Sequence, residues 1–271
     1  MAQLNLSRML SGAITALLFI HSPIALCADG DRPVEINQSA IRRAVILVGG
    51  IYESSHYFDN WVPELIAPDT IILGWDHDHR SMSMRRSSRL LAKRIEELND
   101  KGIVDVTILA HSMGGLVAKG AIDELSRVGK AASFHHIRID TFGTPWGGYT
   151  FAELASILPL SRFLSKAIGY PMGPDIGPNS DYMKDLTQPL PANAELNIYI
   201  GTADHTALPD GKAARIRYNS IEELATVVLS INDCDHVAYN QKTAPLFVNH
   251  HLAGFFSLNA GISKPRAGAG G

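Results

Sequence analysis

Ser112 is the residue whose surroundings best fit a nucleophile. It follows the apolar, β-branched run 104–111 and precedes small residues and a helix-forming stretch. A serine at such a strand-to-helix junction can be held on a sharp, strained turn that tolerates only small side chains two positions away. Ala110 and Gly114 occupy those positions. We therefore predict a nucleophilic Ser112; the alternative is a serine that only caps a buried helix.

The surrounding run, Ala-His-Ser-Met-Gly-Gly at 110–115, resembles the nucleophile elbow of α/β-hydrolase lipases and esterases. Alanine stands where that pattern usually has its first glycine. The resemblance covers roughly residues 43 to 240. It implies an α/β-hydrolase fold, with a mostly parallel central sheet, helices on both faces and an inserted cap or lid segment.

The resemblance also implies the two partners of the serine. Asp204 follows a late strand-like run, where the family places its acid, and Asp210 is a second candidate. His236 lies in an Asp-His-Val loop after the last strand-like run, where the family places its histidine. The order Ser112, Asp204, His236 is that of α/β-hydrolases.

An oxyanion hole is expected where the buried run 43–48 ends in Gly-Gly-Ile-Tyr. By the resemblance, Gly50 matches a family glycine, and Gly49 replaces a family histidine. The donors are then the backbone amides of Ile51 and Met113. The alternative is an ordinary strand-ending turn.

Four residues are predicted to bind substrate: Gly50, Tyr52, His111 and Trp146. Trp146 lies in a Gly-Thr-Pro loop that resembles a lipase loop, and we expect it to line an acyl pocket. The cap or lid is expected at about 149–190, where prolines interrupt an apolar series; core helices without a gating role are the alternative.

Hydrophobic periodicity places the other elements. A continuous apolar run typical of a buried parallel strand lies at 43–48, and a second buried strand is predicted at 70–75. Further strands are predicted at 136–142, 196–201 and 226–231, and helices at 85–99 and 113–127.

The composition favours small-molecule chemistry over nucleic-acid binding. The chain has 271 residues, 46% of them hydrophobic and 19% charged, and a formal net charge of -3. No long Lys/Arg run provides a footprint for nucleic acid. We predict no metal and no cofactor: the run 76–79 fits a solvated loop, and two carboxylates, Asp233 and Asp235, are too few to assert calcium.

The first 28 residues resemble an export signal, with Arg8 before an apolar stretch and Ala28 at the predicted cleavage site. A lipoprotein anchored at Cys27 is the less favoured alternative. We expect a periplasmic or secreted protein with a single domain at 29–262 and a disordered tail at 263–271. Cleavage would leave Cys234 as the one thiol, predicted to be buried.

The resemblance, with these residues, implies a serine carboxylic ester hydrolase of the lipase or esterase kind, acting through an acyl-enzyme on Ser112. Its expected partner is a small-molecule or lipid ester substrate. A transient contact of the protein with a membrane or lipid interface is also expected. An acyltransferase or a phospholipase would use the same triad. A non-catalytic binding protein on this fold is the alternative from another class.

Overall fold

The computed structural model describes residues 41–51, 53–76, 82–149, 173–209 and 211–242. The predicted signal peptide, the tail, Tyr52, Asp210 and residues 150–172 of the predicted cap lie outside this set. The strands are β1 Arg43–Val48, β2 Thr70–Trp75, β3 Asp105–His111, β4 His136–Phe142, β5 Ala194–Gly201 and β6 Val227–Ile231. The α-helices are α1 Val62–Leu65, α2 Met84–Asn99, α3 Met113–Arg127, α4 Gly173–Ile176, α5 Asp181–Asp185, α6 Gly211–Glu222 and α7 Tyr239–Lys242, with 3₁₀ helices at Ser55–Phe58 and Ala131–Ser133.

The six strands form one sheet in the order β2-β1-β3-β4-β5-β6, and every neighbouring pair is parallel. The predicted strands are present with bounds shifted by at most two residues, and α3 has the predicted ends. The predicted α/β-hydrolase sheet is confirmed.

β1 is apolar at every position after Arg43, and its two faces pack in different clusters. Ile46 and Val48 pack in the core that contains α2 and α3, whereas Val45 and Leu47 pack with Phe58 and with residues of α1 and α7. Burying one such aliphatic side chain is worth roughly 1.5–3 kcal/mol. A continuous apolar strand between two helical layers is typical of parallel sheets.

The parallel arrangement brings the carboxyl ends of all six strands to one edge of the sheet. The segments after β1, β3, β5 and β6 contain Gly50, Ser112, Asp204 and His236. Within the described residues, no helix has the length and apolar character needed to span a bilayer.

Candidate active site

Ser112 sits in a backbone conformation that a serine rarely adopts, with φ 52° and ψ −130°. Its N–H donates to the carbonyl of Phe142 at 2.9 Å, and its own carbonyl accepts from the Thr144 hydroxyl at 3.0 Å. A Cβ on Gly114 would lie 2.6 Å from the Gly49 carbonyl oxygen, so only glycine fits there without a shift. Strain of this kind costs of order 1–3 kcal/mol and persists where neighbours impose it.

The structure brings Ser112, His236 and Asp204 together. Ser112 Oγ lies 2.9 Å from His236 Nε2, and His236 Nδ1 lies 3.1 and 3.0 Å from the two carboxylate oxygens of Asp204. The Asp204 side chain is fully buried, whereas that of His236 is 20% exposed. An imidazole between a hydroxyl and a carboxylate can take a proton from the first and be oriented by the second.

Asp204 is held as a carboxylate by several donors. Its Oδ1 accepts from the backbone N–H groups of Thr206 and Ala207 at 3.0 and 2.9 Å, and its Oδ2 accepts from the Tyr239 hydroxyl at 2.8 Å. Burial alone would raise the pKa of Asp204, but the hydrogen bond and charge of His236, with the other donors, hold this pKa below its ordinary value.

Gly50 lies against the serine. A Cβ built on Gly50 would be 2.8 Å from Ser112 Cβ and 3.4 Å from Ser112 Oγ, so the backbone at Gly50 borders the hydroxyl. Ile51 is the next residue, and Met113, directly after the serine, begins α3. The predicted oxyanion amides thus belong to the two segments that meet at Ser112; their donor role stays a prediction.

His111 is not placed to bind substrate, which corrects the expectation for this residue. Its side chain is fully buried and lies between Glu53 and the backbone of His236, with Tyr57 stacked on the ring.

Trp146 is also buried, contrary to the expectation for this residue. It has no exposed surface and belongs to the buried core cluster that also contains Ile176 and Met183. The loop therefore buries the ring that was expected to line an acyl pocket. Its indole N–H has no hydrogen-bond partner among the described residues.

The Asp233 and Asp235 pair does not form a metal site with other side chains in the described ranges, where no group of three or more His, Cys, Asp or Glu is placed to hold an ion. The Asp235 carboxylate instead accepts from the N–H groups of Val237 and Ala238 at 3.2 and 3.0 Å. Cys234 is fully buried in this loop, in agreement with the expectation for it.

Sequence reasoning did not single out Glu53, Tyr57 and Tyr239, all of which contact the predicted site residues. Tyr239 is three residues after His236, and Glu53 is three residues after Gly50. Polar side chains this close to predicted site residues were the available signal.

These strands and their order define an α/β-hydrolase fold, and solved structures agree. The lipase BlEst2 of Bacillus licheniformis is 18% identical with a TM-score of 0.53, covering 79% of this chain and 92% of that one. A carboxylesterase of the thaumarchaeon Nitrososphaera gargenis is 14% identical with a TM-score of 0.52, and the match covers 81% of this chain and 91% of that one.

A type II thioesterase of the Yersiniabactin biosynthetic pathway is 18% identical with a TM-score of 0.51, and the match covers 80% of this chain and 94% of that one. At these identities the likeness concerns the fold. No protein-family model and no curated protein sequence matches the chain.

Proposed function

We propose that this protein is a serine hydrolase of carboxylic esters. The observation that supports it most directly is the continuous contact from Asp204 through His236 to Ser112 Oγ, with 2.9 Å at the final step. A serine hydroxyl is a weak nucleophile until a base removes its proton, and this arrangement supplies the base and the group that orients it.

In the first half of the reaction His236 Nε2 takes the proton from Ser112 as Oγ attacks the acyl carbon. The carbonyl electron pair moves onto oxygen, which faces the amides of Ile51 and Met113. Loss of one such donor typically costs on the order of 3 kcal/mol. The intermediate collapses as His236 gives its proton to the leaving alkoxide, so that an alcohol departs and an acyl-enzyme remains.

Water completes the cycle. His236 takes a proton from water as its oxygen attacks the acyl carbon, and the second collapse returns that proton to Ser112 Oγ with release of the carboxylic acid. Asp204 remains a carboxylate throughout, since it stabilises the imidazolium without accepting its proton.

We propose an ester with an apolar acyl chain as the substrate. The sequence resemblance to lipases and the apolar series after residue 150 support this choice, and two of the fold neighbours are a lipase and a carboxylesterase. The fold hosts many reactions, so the substrate class is tested by experiment.

The test uses p-nitrophenyl esters from acetate to palmitate with the wild type, Ser112→Ala and His236→Gln. His205→Gln, at an exposed histidine near Asp204, is the matched control. We expect turnover by the wild type and the control, a loss of at least about 10³-fold in both site variants, and a fluorophosphonate adduct on the Ser112 peptide.

Equal turnover by the wild type and Ser112→Ala would overturn the proposal. An optimum at short chains would assign an esterase with a small acyl pocket. Ester products formed from an added alcohol, in place of free acid, would assign the acyltransferase alternative.

A further inference from the structure

A second polar network adjoins the candidate triad at the backbone of His236. His111 Nδ1 is 2.6 Å from Glu53 Oε2, and His111 Nε2 is 2.7 Å from the backbone carbonyl of His236. The same Glu53 oxygen accepts the N–H of Gly50 at 3.0 Å. One side chain on β3 therefore connects the segment after β1 to the loop that holds the proposed base.

Both neighbours of the His111 ring are oxygen atoms. Nδ1 faces a carboxylate and Nε2 faces a backbone carbonyl, and both of these groups accept hydrogen bonds. The carboxylate has a charge-assisted bond to the ring and a second bond to the Gly50 amide, and such bonds are among the stronger ones in proteins. Burial alone would raise the pKa of Glu53, but the hydrogen bond and charge of His111, with the Gly50 N–H and the charge of His236, hold this pKa below its ordinary value.

Tyr57 reinforces the same connection. Its ring stacks on His111 with centroids 4.0 Å apart and planes 6° from parallel. Its hydroxyl donates to the carbonyl of Val237 at 3.3 Å and accepts from the N–H of Asn240 at 3.3 Å. The segment around residues 53–57 thus contacts the His236 loop at several points.

We propose that Glu53 and His111 are positioning residues, which set the oxyanion segment at Gly50–Ile51 and the His236 loop in one fixed relation to Ser112. This inference depends on the proposed function, because it assigns the pair to that reaction. Neither residue touches the reacting atoms; Glu53 acts through the Gly50 amide, and His111 acts through the His236 carbonyl. A network with both acceptors and donors satisfied holds such a geometry without reorganisation.

The network predicts a defined kinetic effect. In Glu53→Ala the Gly50 amide and the His111 ring both lose their carboxylate acceptor. The oxyanion segment at Gly50–Ile51 and the His236 loop then lose their fixed relation to each other. Interactions realised in the transition state affect kcat more than KM. We expect kcat to fall about 10- to 100-fold while KM changes less than about threefold.

The experiment compares Glu53→Ala, Glu53→Gln and His111→Gln with the wild type on the best p-nitrophenyl ester. Values of kcat are normalised to reactive serine by titration with a fluorophosphonate, which removes any contribution from misfolded protein. Glu53→Gln keeps an oxygen acceptor at the same place, so we expect it to recover at least half of the logarithmic loss in kcat seen in Glu53→Ala. Because the Glu53 side chain is 27% exposed, its replacement leaves the core in place if the buried His111→Gln variant fails to fold.

The matched control is His56→Gln, which disrupts an exposed His–Asp pair with Asp59 of the same chemistry near the same segment. We expect it to keep the wild-type kcat. A normalised kcat for Glu53→Ala equal to that of the wild type, or a loss that appears in KM alone, would overturn the inference and leave the proposed function intact. Absence of Ser112-dependent turnover in the wild type would overturn both.

Discussion

The hydroxyl of Tyr239 donates to Asp204 Oδ2 at 2.8 Å and accepts the N–H of Gly201 at 2.6 Å. The proposed acid is therefore bound to the last residue of β5 through a fully buried tyrosine. Gly143 leaves room for this contact, since a Cβ at Gly143 would be 2.6 Å from the Tyr239 ring and 2.7 Å from Asp204 Oδ2.

Removal of the Tyr239 hydroxyl should lower both the catalytic contribution of Asp204 and the stability of the protein. In Tyr239→Phe, Asp204 loses a donor and its pKa rises, so it stabilises the His236 imidazolium less well. We expect kcat to fall about fivefold and the free energy of unfolding to fall by about 1–2 kcal/mol. Ester kinetics and urea denaturation check both values. Tyr218→Phe, at a buried tyrosine of α6, should leave kcat unchanged, and an equal kcat in both variants would contradict the prediction.

The stability of the fold should fall in acid because two carboxylates near the site have lowered pKa values, those of Asp204 and Glu53. Their ordinary values are 3.8 and 4.5. Between the unfolded and the folded pKa the unfolded chain binds more protons, so stability rises with pH there. The contribution is complete above the ordinary values and is lost as pH falls through the folded values.

Thermal unfolding between pH 3 and pH 7 checks this dependence. Asp204→Asn and Glu53→Gln should flatten the acid side of the Tm curve. Asp59→Asn, at the exposed pair with His56, serves as the control and should keep the wild-type slope. A wild-type slope in all three variants would refute the assignment.

A methyl group at Gly50 should damage the reaction more than the fold. Its Cβ would lie 2.8 Å from Ser112 Cβ and 2.8 Å from Glu53 Oε2, and these atoms must shift to admit it. We expect Gly50→Ala to lose about 100-fold in kcat/KM, which corresponds to nearly 3 kcal/mol of transition-state stabilisation. Gly177→Ala, where a Cβ meets nothing within 4 Å, should keep wild-type activity. Loss of activity in both variants would argue against a specific effect.

The unusual backbone of Ser112 should cost stability that glycine restores. At φ 52° and ψ −130° a residue without Cβ is not strained. We expect Ser112→Gly to be inactive and about 1 kcal/mol more stable than the equally inactive Ser112→Ala. Chemical denaturation of the two variants measures the difference; a less stable glycine variant would show that the turn is not strained.

Much of the fold was predictable because parallel strands buried on both faces leave a continuous apolar signal. β1 and most of β3 are such runs, and β1, β3 and β4 are each followed directly by a glycine or a serine. β5 was less sharply defined, since its first two residues, Ala194 and Glu195, are only partly buried and lie outside the apolar run.

The candidate site was predictable only where a residue type has a role that depends on chain order. Ser112, Asp204 and His236 each follow a strand, and the structure places them in contact. The surroundings of His111 and Trp146 could not be obtained in this way, because the contacts of a side chain at the end of a strand or in a loop depend on tertiary packing. Glu53 and Tyr239 lie three residues from Gly50 and His236, but the sequence does not specify that they contact His111 and Asp204, because those contacts join segments far apart in the chain.

The opposite edge of the sheet contributes none of the described residues assigned to catalysis. There the chain turns at Gly102 and Gly129, both with positive φ and with open space around the Cα. Cargo attached at these turns, such as a fusion partner or a tether to a solid support, would sit across the full length of the strands from the reacting ester. Because all six strands run in the same direction, the two turns offer attachment points at the end of the sheet opposite the candidate active site.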